Sequence, residues 1–310
     1  MKSFSENEKP KVSPAAEGRE ASARGKAIAF VLAEAFCFSL MTLFVRLSGD
    51  VPTLQKVFFR NAVAAVIAGV ILARTPEGFK MRRDSALPLF LRCAFGTTGI
   101  VLNFWAIDRI GLSDANILNK MSPFFAIVAS VFILSEIPTA IEWICVVVAF
   151  IGAALVAHPS AGGIFSVPAL AGLVSGLCAG IAYTFVRKLG KSGERGPVIV
   201  FAFSLFSCLV SLPSIILQPY SMSLRQWLCL IAAGVAAAGG QLCVTYAYQH
   251  APAREISVFD YSQVLFAAVW GMLFFGEAPD IFSILGYVII IGTAVFKWRL
   301  VMRRHGQEAE

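Results

Sequence analysis

Five charged residues fall inside long apolar stretches of the 310-residue chain: Glu34, Arg60, Arg92, Lys120 and Asp260. A charge held in hydrocarbon costs about 2.5 to 3.5 kcal/mol even on lenient insertion scales, so such groups usually pair or face water-filled space. Glu34 has only Ala, Phe, Cys, Val and Leu as near neighbours in sequence, a setting that suits a proton carrier unless Arg60 or Lys120 compensates its charge. Arg60, followed by Asn61, could offer its planar fork to a carboxylate or phosphate, or bond a carbonyl nearby. Asn116, Asn119 and Lys120 are spaced i, i+3, i+4 and so share one helical face. Pro123 follows on the same stretch, where a proline frees a carbonyl for a ligand or a hinge. Asn103, Gln241 and Tyr261 complete the candidate polar set, with Tyr183 and Gln263 nearby. Arg92 lies only a turn and a half inside its segment and is expected to snorkel to the interface. The four deeper charges, Glu34, Arg60, Lys120 and Asp260, cancel, which favours internal pairing over a strongly charged ligand.

The stretches that position these residues are membrane helices. A hydrophobic fraction of 57%, a charged fraction of 15% and a mean hydropathy of +0.74 leave too little polar surface to coat a soluble core. A bilayer core about 30 Å thick needs about 20 apolar residues per helix. Ten segments meet that length: 27–46, 53–73, 87–107, 113–134, 139–157, 167–187, 197–217, 225–249, 255–275 and 281–300. The expected fold is therefore an all-α integral membrane protein of ten transmembrane helices. Residues 1–26 read as a disordered cytoplasmic tail without a signal peptide's apolar run, and 301–310 as a cytoplasmic tail with Lys297 and Arg299 as anchors before it.

The chain repeats itself. At an offset of 141 positions Phe44-Val45-Arg46 falls on Phe185-Val186-Arg187, Gly99 on Gly240, and Glu136-x-Pro138 on Glu277-x-Pro279. The polar matches carry the weight, because apolar helices coincide often. Five helices in each half, 27–157 and 167–300, make the second half enter the membrane from the opposite side, so the halves are expected to be inverted repeats. At that offset Asn119 falls on Asp260 and Lys120 on Tyr261, and inversion carries both points towards one central region. The alternative is a salt bridge that only locks the halves together.

Orientation follows from lysine and arginine. With both termini cytoplasmic, 19 of the 26 basic residues lie on the inner side, and only Arg46, Lys56, Arg109 and Arg225 at the outer ends. The net charge of +7 is thus a topology signal spread over short loops, not a nucleic-acid patch. Seven scattered cysteines and three histidines lack metal-ligand or disulfide spacing, so no metal and no cofactor are expected. Gly190-Lys191-Ser192 resembles the end of a phosphate loop, but Phe185 stands where that motif needs glycine. A membrane-embedded transferase would need a polar catalytic cluster at one face, and a channel a ring of charges or a filter loop. These stay the alternative readings, disfavoured because the loops are too short for such a cluster and no ring or filter-like loop is seen.

Phe58-Phe59-Arg60-Asn61 in the second segment, and Ser122-Pro123-Phe124-Phe125 running to Leu134-Ser135-Glu136 at the end of the fourth, resemble the EamA-type drug/metabolite transporters. The resemblance covers roughly residues 27–300, although the corresponding Gln263-Val264-Leu265-Phe266 lacks the proline. It implies an alternating-access carrier with a central cavity, driven by an ion gradient or by exchange. It also implies a small-molecule substrate, export of amino acids or related compounds from a bacterial cytoplasm, and a place in the inner or plasma membrane as a monomer or homodimer. Protons are the coupling partner such a carrier would use through Glu34.

Overall fold

The structure, a computed structural model, describes residues 14–110, 118–157, 167–276 and 279–308. The first half holds α1 Pro14–Leu47, α2 Thr53–Ala73, α3 Ala86–Ile110, α4 Ser122–Leu134 and α5 Ala140–Ala157. The second holds α6 Val167–Lys191, α7 Gly196–Leu217, α8 Leu224–His250, α9 Ser262–Phe275 and α10 Ile281–Glu308. No strand occurs among the described residues. Helices are what an apolar chain must form in lipid, where each backbone N–H and C=O has to find its partner within the segment.

Eight helical segments among the described residues are long and apolar enough to cross a membrane, and two more, Ser122–Leu134 and Ala140–Leu155, are apolar but shorter. The expected all-helical membrane fold is present, with eight segments of spanning length among the described residues. The fourth segment departs from it for a local reason. Expected as one helix over 113–134, it carries a turn at Lys120–Met121 and regains α geometry only at Ser122, with Pro123 in the first turn of α4. A proline there lacks an N–H that would have had no partner anyway. At 13 residues and a rise of about 1.5 Å each, α4 is about 20 Å long. The ninth segment is broken at the corresponding place: a helical turn at Ala253–Ile256 and a 3-10 turn at Ser257–Tyr261 precede α9.

Backbone detail repeats with the sequence. Both fourth helices end on a left-handed residue, Ser135 at φ 56° after α4 and Gly276 at φ 67° after α9, and the two positions are 141 apart. Helix packing follows the same relation. The pair α1 and α8 corresponds to α3 and α6, the pair α4 and α6 to α1 and α9, while α2 packs on α7 and α5 on α10. The correspondence is incomplete. Helix α6 packs along α8, whereas α1 and α3 make no comparable contact among the described residues.

Glycine sets the closest of these approaches. A Cβ added at Gly176 would lie 2.9 Å from the Leu118 carbonyl oxygen, and one at Gly180 would lie 2.6 Å from the Ala126 nitrogen. The small-residue face of α6 is therefore pressed against α4 and the turn before it. Large apolar side chains such as Phe132, Leu217 and Leu224 stay exposed on the periphery, as a lipid-facing coat requires. Lys297 departs from its expected anchoring role. It is 1% exposed and 3.5 Å from Glu142 on α5, because α10 turns this position onto a helix that supplies the opposite charge.

Candidate functional site

The two broken fourth segments meet at their breaks. The Lys120 ammonium donates to Asp260 Oδ2 at 3.0 Å, to the Asp260 carbonyl oxygen at 3.4 Å and to Gln263 Oε1 at 2.7 Å. In return the Tyr261 hydroxyl donates to the Lys120 carbonyl oxygen at 3.0 Å. Each half thus contributes one charge and one backbone carbonyl to a reciprocal clasp. The side chains of Lys120 and Asp260 keep 13% and 14% of their surface exposed, so the ion pair is not sealed in packing. The turns explain why these groups are available: a carbonyl released from the i to i+4 ladder can accept a side-chain donor.

Glu34 on α1 reaches the same place. It is 1% exposed, and the Asp260 carboxyl and the Lys120 ammonium lie close enough to act on its charge. Glu34 Oε2 is buried without a hydrogen-bond partner. Two carboxyls and one ammonium thus share one buried region of the molecule. Around it lie the rings of Tyr183 and Tyr248, stacked with centroids 4.8 Å apart.

The remaining expected residues divide. Asn119 Nδ2 donates to Ser175 Oγ at 2.9 Å, which fixes the turn carrying Lys120 against α6. Asn61 spends its amide on the Val57 carbonyl oxygen of its own helix at 2.8 Å, so it braces α2. Asn103 has a buried Oδ1 with no partner. Gln241 is buried and accepts through Oε1 from Arg92 at 3.2 Å. Arg60 is buried near the Phe38 ring, and Asn116 lies outside the described residues.

Arg92 corrects the expectation that it snorkels. Its guanidinium is turned inward, 4.1 Å from the centroid of the Phe203 ring, and the residue is 2% exposed. Position along a helix does not reveal which face a residue occupies, so the sequence alone had no signal for this. Ser175 also enters the site by contact alone, while Gln263, which the sequence places beside the candidate set, bonds Lys120 directly.

At one end of the molecule a polar network draws α4, α6 and α8 together. Glu136 accepts from Arg187 at 3.2 Å and lies 2.7 Å from the Lys191 ammonium. Arg187 Nη1 donates to the Gln249 carbonyl oxygen at 2.9 Å, and Gln249 Nε2 to that of Glu194 at 2.8 Å. Gly190 lets α6 approach Gln249 so closely that an added Cβ would lie 2.7 Å from its Cα.

A chain duplicated in this way is found among known proteins. The profile of the EamA-like transporter family matches residues 25–157 and 167–298, one copy on each half. The chain belongs to this family. Among its relatives, the pseudopaline exporter CntI of Pseudomonas aeruginosa is 36% identical over 83% of this chain and 90% of its own. Human solute carrier family 35 member G1 is 24% identical, covering 90% of this chain and 82% of that one. A solved crystal structure has the same fold, with a TM-score of 0.78 and 17% identity, covering 90% of this chain and 98% of the other. As a member of this family the chain is a multi-pass membrane transporter rather than an enzyme.

Proposed function

We propose that the chain is a secondary active, alternating-access exporter of a small organic metabolite, amino acids or related compounds being the expected class. The Lys120–Asp260 clasp, with Glu34 beside it, carries the reading. Ionisable groups drawn from both halves onto interrupted helices at one partly exposed point are what a carrier needs if substrate is to loosen one arrangement and favour another. Asn119, Gln241 and Tyr261 brace the same region, Asn103 with its unpartnered Oδ1 is a further substrate-binding candidate, and the turn at Pro123 serves as the hinge of α4. Export is supported by the relative whose name is that of a pseudopaline exporter. One end joined by α6 and α8, without a matching α1 and α3 contact at the other, fits one state of such a cycle. The ten crossings, the inverted halves and the cytoplasmic placement of both termini rest on segment lengths and on the distribution of basic residues.

Glu34 is the proposed coupling group. With Glu34 protonated, Lys120 stays paired with Asp260, and departure of that proton adds a negative charge that the cluster must rearrange to accommodate. The groups facing Glu34 are Asp260 and Lys120 at the clasp, Tyr183 and Tyr248 beside it, and the Cys37 and Cys243 thiols. Transport in reconstituted vesicles tests both roles. Lys120→Met and Asp260→Asn are expected to abolish transport while the protein still inserts and folds. Glu34→Gln is expected to lose accumulation driven by a pH gradient yet keep substrate exchange. Full accumulation by Glu34→Gln, with unchanged pH dependence, would exclude the coupling role and leave Asp260 as the acid to examine.

A further inference from the structure

Two buried guanidinium groups, on neighbouring helices, are left over when the acids of the site have been paired. Lys120 holds Asp260, and Glu34 lies against that pair. Arg60 on α2 is 6% exposed and Arg92 on α3 is 2% exposed, and neither forms an ion pair among the described residues. Tyr183 lies near both guanidinium groups and near the Glu34 and Asp260 carboxyls, yet neither arginine has a carboxylate within ion-pairing distance among the described residues. Their contacts are neutral: the Phe38 ring for Arg60, and Gln241 with the Phe203 ring for Arg92. Nε of each is buried without a hydrogen-bond partner.

This is a costly arrangement. A guanidinium carries five N–H donors, and burying it without an anion forfeits hydration that neutral contacts do not replace. Two such groups within range of each other add mutual repulsion. Nor is either arginine a simple brace, since Arg60 donates to no carbonyl among the described residues and Arg92 donates only to Gln241. The fold moreover reserves room for the second one. A Cβ on Gly96 would lie 2.1 Å from Arg92 Nη1 and 2.8 Å from the Phe203 ring, so glycine is what lets the guanidinium lie between α3 and that ring.

We propose that Arg60 and Arg92 together bind an organic anion bearing two or more carboxylates, one carboxylate to each guanidinium fork. The fork of Nε and an Nη matches the two oxygens of a carboxylate. Two separate forks call for two anionic groups, not one. The inference rests on the carrier reading only in making this ligand the transported substrate, and it reverses the expectation that cancelling charges disfavour an anionic ligand. The charges that cancel are Lys120 and Asp260. The arginines remain.

The test is thermal unfolding of the full chain in detergent, with no membrane gradient, titrated with succinate, glutarate and tricarballylate. Butyrate serves as the monocarboxylate, glutaramide as the uncharged analogue and inorganic phosphate as the other anion. At least one polycarboxylate is expected to raise the melting temperature saturably, with butyrate at least tenfold weaker and glutaramide inert. Arg60→Gln and Arg92→Gln should each weaken that response at least tenfold, and the matching lysine variants should restore part of it. Gly96→Ala keeps both charges but displaces the Arg92 guanidinium, and should weaken the response as well, which guards against a glutamine variant that fails to fold. A wild-type protein indifferent to all three polycarboxylates, an equal response to butyrate, or undiminished binding by the variants would overturn the proposal. A response to phosphate alone would overturn it in favour of a phosphoryl ligand. Binding without counterflow of the same compound in vesicles would keep the site and reject the carrier reading, whereas transport of a neutral metabolite by a chain that binds no polycarboxylate would do the reverse.

Discussion

Lys297 and Glu142 put a number on what a charge deep in this protein requires. Both are 1% exposed and 3.5 Å apart, and Glu142 also accepts from the Thr139 N–H at 2.7 Å, so it is Lys297 that loses most when its partner is removed. Breaking a buried pair by deleting one partner costs about 3 to 5 kcal/mol, whereas replacing both can be nearly neutral. Glu142→Gln is therefore expected to lower the melting temperature of the purified protein sharply, and the double change with Lys297→Met to recover much of the loss. A single variant as stable as wild type would show the pair to be idle. At this scale the sequence was legible wherever the residue type alone was informative. Glu34, Lys120 and Asp260 stand out because any ionisable group in an apolar run does, and they come together in space. Asn61 was equally conspicuous yet is satisfied by the carbonyl of Val57 on its own helix. Arg92 and Lys297 were read as anchors from their nearness to segment ends. Their rotation towards Gln241 and Glu142 depends on partners 149 and 155 residues away in sequence.

The elements were legible in their lengths and in the 141-residue repeat, less so in their interruptions. Hydropathy summed over a segment does not change when the backbone passes through a turn, and neither the turn at Lys120–Met121 nor the 3-10 turn at Ser257–Tyr261 alters the apolar count. The fourth-helix ends were more informative than they first looked. Ser135 and Gly276 occupy equivalent left-handed positions, and an added Cβ at Gly276 meets nothing within 4 Å, so only backbone strain opposes a side chain there. Left-handed geometry costs an L-residue about 1 to 2 kcal/mol. Gly276→Ala is expected to destabilise by that amount, and Ser135→Gly to be neutral or stabilising, as measured by thermal unfolding. Gly180 is the contrasting case. Its conformation is ordinary but its space is filled by Ala126 and Phe125, so Gly180→Ala should cost about 1 to 3 kcal/mol through overpacking. A tolerant Gly180 would mean that α6 and α4 separate more easily than their contact implies.

For the whole molecule, reporter tags at residues 5 and 308 are expected on one side of the membrane and tags at 110, 162 and 279 on the other, as the placement of 19 of 26 basic residues requires. Termini on opposite sides would reject both the ten crossings and the orientation. The failed correspondence, α6 against α8 but not α1 against α3, has a thermodynamic consequence. If each half can adopt the other's conformation, the alternative form has α1 closed on α3 and α6 parted from α8, built from equivalent helices. Two forms assembled from nearly the same parts are nearly degenerate, and a difference of about 1.4 kcal/mol between them is a tenfold ratio of populations. The Glu136 network with Arg187 and Lys191 is of that order. Glu136→Gln should therefore leave the fold intact and redistribute which end a thiol-labelling reagent can reach, so that a few ion pairs on the rim decide where the chain rests.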